Sequence, residues 1–181
     1  MTTAPTFDIR KSVPRRNIER IVVLSAVSAG LMFVGYKVVP ESFIWALSLD
    51  GFKSLTGWGF FGLILIGTGL FNLLKVALFA LKARGTSGEW RFCLEDDRLL
   101  WQVPAHAHGA ETGFEAPLSS IRQLEYRTLT SFDEMDEREY WIHFTDRASI
   151  QLQAYTGVSL SWLVSKIHDA GVPYKETTIE R

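Results

Sequence analysis

A chain of 181 residues with mean hydropathy +0.08 has room for one ordinary domain and a membrane anchor, and excludes two large cores. Its single cysteine, Cys93, excludes an intramolecular disulfide and reads as a small core residue. The net charge of −1 averages two unlike halves. Residues 1–85 hold ten Lys+Arg against four Asp+Glu, a net of +6, and residues 86–181 hold nine against sixteen, a net of −7. A second half so acidic excludes nucleic acid as its partner, because phosphate binding needs a basic face.

Residues 1–20 form a basic segment carrying Arg10, Lys11, Arg15, Arg16 and Arg20. From Ile21 to Val39 the chain is apolar except for Lys37, and nineteen helical residues reach roughly 28 Å, close to the ~30 Å hydrocarbon core. Tyr36 and Lys37 suit an interface, Pro40 ends the helix, and no small-residue cleavage site follows Gly35, so a retained span is expected and not a signal peptide. Residues 40–57 are a short, rather apolar extracytoplasmic loop that can lie on the membrane surface. The loop is too short for a pore helix and filter.

The second span is expected over residues 58–81, followed by Lys82 and Arg84 and a linker over 82–88. Asn72 and Lys75 interrupt it, and a charge at mid-bilayer costs about 2.5–3.5 kcal/mol. Lys75 reads as an interface anchor, or as a sign that the span ends near Leu74 and continues as an interfacial helix, more readily than as part of an ion pathway. Ala26 and Gly30 in the first helix, and Gly62 and Gly69 in the second, offer small packing positions, with Asn72 able to hydrogen-bond across. Gly62, Gly69 and Asn72 are therefore candidate helix-contact residues, toward the other helix of the hairpin or a partner's. Arg10, Lys11, Arg15, Arg16, Arg20, Lys82 and Arg84 flank the same side of both spans and are candidate membrane-surface anchors. The positive-inside rule then places both termini in the cytoplasm.

After Gly88 the period changes from helical to two. Trp90, Phe92 and Leu94 alternate with charged or small residues, Asp96-Asp97 turn the chain, and Leu99, Trp101 and Val103 follow, which predicts a hairpin with one buried face. Residues 104–113 read as a solvated loop whose His106, His108 and Glu111 lack metal spacing. Short strands are expected over 114–117, 121–130, 140–144 and 149–153. Between them, Phe132 to Glu139 is an acidic loop in which Asp133, Glu134, Asp136 and Glu137 are candidate partner-binding residues. Ser159 caps a helix with Leu160, Leu163, Val164 and Ile167 on one face, and residues 173–181 are a tail.

The fold class expected is two transmembrane helices followed by a small antiparallel sheet or partial barrel capped by a C-terminal helix. The order of EWRFCLEDDRLLWQV, FEAPLSSIRQLEYR, EYWIHFTDRASIQLQ and SLSWLVSKIHDAG over residues 89–172 resembles the pleckstrin-homology-like domains of small bacterial membrane proteins. The resemblance implies an inner-membrane scaffold or assembly factor, photosynthetic-complex assembly proteins among them. It implies partners in the bilayer and in a membrane complex. Self-association is a further reading. Phosphoinositide-binding members use a basic first hairpin, whereas here the turn is Glu95-Asp96-Asp97-Arg98, which disfavours headgroup binding. No nucleophile elbow, phosphate-cradling loop or metal motif occurs, so the expectation is a non-enzymatic protein without cofactor. The alternative is a membrane-anchored sensor whose cupped sheet holds a peptide or small ligand.

Overall fold

The computed structural model describes residues 7–39, 57–130, 136–153 and 155–180. It divides into two units: Pro14–Gly85, and a domain that unites Met1–Val13 with Thr86–Arg181.

The helical unit consists of α1 (Val13–Val38) and α2 (Gly57–Ala83), each long and apolar enough to cross a membrane. α1 starts eight residues before the apolar run. Pro14 is tolerated in the first turn, where backbone N–H groups have no helical acceptor. Arg15 and Arg16 reach Glu19 at 3.3 and 3.5 Å, at helical spacing. The expected boundary at Ile21 followed hydropathy alone, whereas these residues are good helix formers that happen to be charged. α2 runs unbroken through Lys75 to Ala83. The 40–56 loop lies outside the described residues.

In the domain, β1 (Phe7–Ser12), β2 (Glu89–Glu95), β3 (Arg98–Gln102) and β4 (Phe114–Pro117) form one antiparallel sheet in that order. A single 3₁₀ turn, Leu118–Ser120, leads into β5 (Ile121–Thr130), followed by β6 (Glu137–Phe144) and β7 (Ile150–Leu152). The helix α3 (Leu160–Asp169) comes next, and then β8 (Tyr174–Glu180). The second sheet has the order β7-β6-β5-β8, with β8 parallel to β5. The sheet is therefore mixed, not purely antiparallel.

Three expectations are corrected here. The basic N-terminal segment contains a strand: Phe7 and Ile9 pack against the core, while β1 satisfies the backbone edge of β2 from Phe7↔Leu94 to Ser12↔Glu89. The tail contains β8, whose side chains are nearly all exposed and which adds itself to β5 through its backbone. The acidic loop is shorter than expected, because Glu137, Arg138 and Glu139 belong to β6, opposite Leu129, Thr128 and Arg127.

The space between the sheets is filled. Trp90, Phe92, Leu94, Leu99 and Trp101 from the first hairpin meet Leu124 and Ile142 of the second sheet and Leu163 and Ile167 of α3, all essentially without solvent contact. α3 starts as expected, with the Trp162 N–H donating to Ser159 Oγ at 3.3 Å. It stops at Gly171, whose positive φ of 101° is open to glycine at little cost.

Candidate docking surfaces and buried polar sites

The helix seam is built from small residues, as expected, but on a different face of α1. A methyl group on Gly69 would lie 2.9 Å from Ser28 O, and one on Gly62 would lie 2.8 Å from Gly35 O. One on Gly35 would lie 2.6 Å from Gly62 O. The two backbones are thus in direct contact along Ser28, Met32 and Gly35 on α1, with Val39 just beyond it, and Gly62 and Gly69 on α2, where Val76 continues the buried stripe. Ser28 remains satisfied there by donating to Leu24 O at 2.7 Å. Ala26 and Gly30 are exposed, with open space at Gly30, so the expected α1 pair is not the seam. Sequence reading missed Gly35. The signal was the heptad run of small or slender residues at 28, 35 and 62, 69, 76, which matches left-handed knobs-into-holes spacing. Asn72 is half-buried beside this stripe.

The basic anchors are partly spoken for. Arg10 reaches Asp8 at 2.9 Å, Asp8 also holds Arg91 through two hydrogen bonds, and Arg20 lies over the Phe79 ring at 4.7 Å. Arg91, hydrogen-bonded to Asp8 across β1 and β2, holds that carboxyl well below the usual carboxylate range. Lys11, Lys82 and Arg84 are exposed. Of the acidic candidates, Asp133 and Glu134 lie outside the described residues, and Asp136 and Glu137 are exposed at the start of β6.

The 104–113 segment is a loop, as expected, with Ala105, Gly109, Ala110, Thr112 and Gly113 exposed, but two of its polar side chains are not solvated. The side chains of His106 and Glu111 are 3% and 1% exposed, 3.4 Å apart. Glu111 accepts from Trp90 Nε1 at 3.0 Å and from Trp101 Nε1 at 3.4 Å. The His108 N–H donates to His106 Nδ1 at 3.2 Å, which leaves the ring hydrogen on Nε2, facing Glu111. Burial pushes the Glu111 carboxyl up, against the pull of the two indole N–H groups and His106. Tyr155 completes the box, its hydroxyl against the bare backbone of Gly109. The clue was in β2 and β3: two tryptophans on a buried face each need an acceptor for the indole N–H. Among the described residues no group of three or more His, Cys, Asp or Glu is placed to hold a metal.

On the outer face of the second sheet, Glu125 accepts from Arg127 at 2.8 Å and lies 2.6 Å from His143 Nε2, while His143 Nδ1 lies 2.7 Å from Ser149 Oγ. The Arg127 guanidinium holds the Glu125 carboxyl down at about 2. An ionised carboxylate only accepts, so His143 Nε2 is the donor toward Glu125. Hydrolytic triads order the same groups similarly. Ser149, however, stands exposed to water, whereas hydroxyl activation relies on a water-excluding site. The chain of bonds works as a tie from β5 across β6 to Ser149, just before β7.

A cavity of about 220 Å³ lies between α3 and the second sheet, lined by Tyr140, Ser161, Val164, Ser165, His168 and Tyr174. Burial and the neighbouring Glu176 carboxylate push the Tyr174 hydroxyl up to about 12, and that hydroxyl donates to Glu176 at 3.1 Å. Compared with known proteins, the chain matches no family model, no curated protein and no solved structure.

Proposed function

We propose that the chain is a non-enzymatic protein that spans a bacterial inner membrane twice, with both termini in the cytoplasm, and serves as an accessory, scaffold or assembly subunit of a larger membrane complex. The observation that carries this reading is the filled interior of the domain. Trp90, Trp101, Phe92 and the aliphatic residues around them occupy the space in which a cupped sheet would hold a ligand, so recognition falls to the surfaces. The span reading is supported by two helices of 26 and 27 residues, which reach about 40 Å each and carry outward rows of apolar side chains.

Sidedness is supported twice over. β1 precedes α1 and pairs with β2 after α2, so one domain holds both ends of the hairpin, and Arg15, Arg16, Arg20, Lys82 and Arg84 cluster at those ends. The PH-like reading is supported by two sheets followed by a C-terminal helix, with β1 and β8 as additions at the edges. The domain, residues 1–13 with 86–181, holds eleven Lys+Arg against seventeen Asp+Glu, a net of −6, which favours a basic protein surface over an anionic leaflet. Asp133, Glu134, Asp136 and Glu137 are the segment most suited to meet it.

The cavity under α3 favours a second reading, a ligand-binding sensor. At about 220 Å³ it falls below the ~300–1,000 Å³ of most ligand sites. The test is extraction in a mild detergent followed by size analysis. A subunit elutes in a larger species of defined partners. A chain that elutes alone, in wild-type membranes at native expression, overturns the reading.

A further inference from the structure

α2 carries a charge, Lys75, that no carboxylate of either helix balances. Lys75 is exposed, and on a wheel of 100° per residue it projects roughly 120° from the middle of the Gly62, Gly69 and Val76 stripe, off the face that meets α1. Its ammonium lies 4.4 Å from the centroid of the Phe71 ring, one turn toward the start of the helix, the direction in which helical side chains lean. Counted back from Lys82, Phe71 lies about 16 Å deep, roughly half of the ~30 Å hydrocarbon core. The ammonium therefore points toward the middle of the membrane and not toward the nearer interface. No Asp or Glu occurs in α2, nor in α1 after Glu19.

We propose that the face of α2 formed by Thr68, Phe71, Lys75 and Leu78 receives a transmembrane helix of another protein, and that this helix carries an Asp or Glu at mid-membrane depth that pairs with Lys75. This surface rests on the reading of the chain as a complex subunit. All four residues are exposed in the hairpin. Ionisable groups at this depth face protein or water or pair with an opposite charge, and an aromatic ring returns only part of the lost hydration. The charge to be matched is positive, so the partner's group is a carboxylate.

The test uses the full-length chain in its own membrane, extracted in a mild detergent, sized, and analysed for co-purifying proteins. Lys75→Met makes the span more apolar, so insertion is not at risk. It is expected to lower the recovery of one partner at least tenfold, and that partner is expected to contain Asp or Glu within a transmembrane segment. Lys75→Arg and Lys82→Met are expected to retain it. Neutralising the partner's carboxylate is expected to restore association with Lys75→Met, because both members of the buried pair are then gone. Wild-type protein running alone sinks both the subunit reading and this surface. A complex that survives Lys75→Met, or a lost partner without a membrane carboxylate, sinks this surface alone and makes Lys75 a lipid anchor.

Discussion

Glu111 is a carboxylate enclosed by two indoles, an imidazole and a tyrosine, and its position ties the stability of the domain to pH. Burial raises its pKa, so the folded chain holds the proton more tightly than the unfolded chain does. Stability from this group is lowest above the raised folded value. It climbs as pH falls through that value and levels off below the unfolded 4.5. Glu125, held at about 2, acts in the opposite sense: its contribution is present above 4.5 and is lost as pH falls toward 2. The full-length protein in detergent, unfolded by urea and followed by tryptophan fluorescence, should thus have its highest midpoint in mild acid, above 4.5. Glu111→Gln should remove the rise between neutral pH and that optimum. Glu111→Ala should leave two buried indole donors without an acceptor and cost about 3 kcal/mol. An unchanged midpoint in Glu111→Ala would mean that water replaces the carboxylate and that the box is open. At this scale the sequence was only partly legible. Trp90, Phe92, Leu94, Leu99 and Trp101 announced their burial by alternation. Spacing inside a loop carries no record of depth, so His106 and Glu111 read as solvated.

Elements follow local pattern where one side chain in two meets the core, and depart from it where the backbone does the joining. α3, the first hairpin and β5 appear at their expected places because period and caps agree. β8 and β1 do not announce themselves this way. YKETTIE buries little and is recruited by the open edge of β5, while FDIRKS alternates correctly but is crowded with charge. The Asp96-Asp97 turn has both φ angles positive, 49° and 59°, as a two-residue hairpin of type I′ requires. Aspartate tolerates that region less well than the Asn-Gly pair does. Asp96→Asn with Asp97→Gly should raise stability by about 1 kcal/mol, read as a higher urea midpoint. A drop would show that the aspartates make contacts that outweigh their backbone strain. In the hairpin, Gly62→Leu and Gly69→Leu must push α1 off its seat, since the backbone carbonyls of Gly35 and Ser28 lie 2.8 and 2.9 Å from the added Cβ atoms, beside the Val39 and Met32 side chains. A cost of about 2 kcal/mol or more is expected, together with loss of an engineered disulfide between residues facing across the seam. Crosslinking as efficient as in wild type would show that the helices separate easily and that the seam is not their resting contact.

For the whole molecule, topology is the decisive quantity. The proposed two crossings with cytoplasmic ends require that a reporter active only in the cytoplasm work when fused after Arg181. Activity of a periplasmic reporter at that site would reverse the charge argument. The general plan, two long apolar helices and then a small sheet domain with one helix, could be read from hydropathy and period. That residues 7–12 belong to the distant domain could not, because a pairing between Ser12 and Glu89 leaves no trace in either local pattern. Deleting residues 1–12 should therefore act on the domain and not only on membrane charge. Phe7 and Ile9 lose their seats, the edge of β2 is bared, and the urea midpoint should fall by an amount equivalent to roughly 3 kcal/mol.

The β1–β2 pairing also sets an order of events during synthesis. β1 leaves the ribosome first and waits without a partner while residues 13–88 are made. Closing so long a loop from a free chain costs about 4 kcal/mol in entropy. The glycine seam can bear that cost beforehand, since α1 and α2 run antiparallel, with Arg20 beside Phe79. On the proposed two-span reading, a nascent chain that inserts only one of its helices strands β1 and β2 on opposite sides of the bilayer. Its domain then presents a bare edge to proteases and chaperones. Correct insertion and a closed sheet become a single checkpoint, enforced by the connectivity of the chain itself.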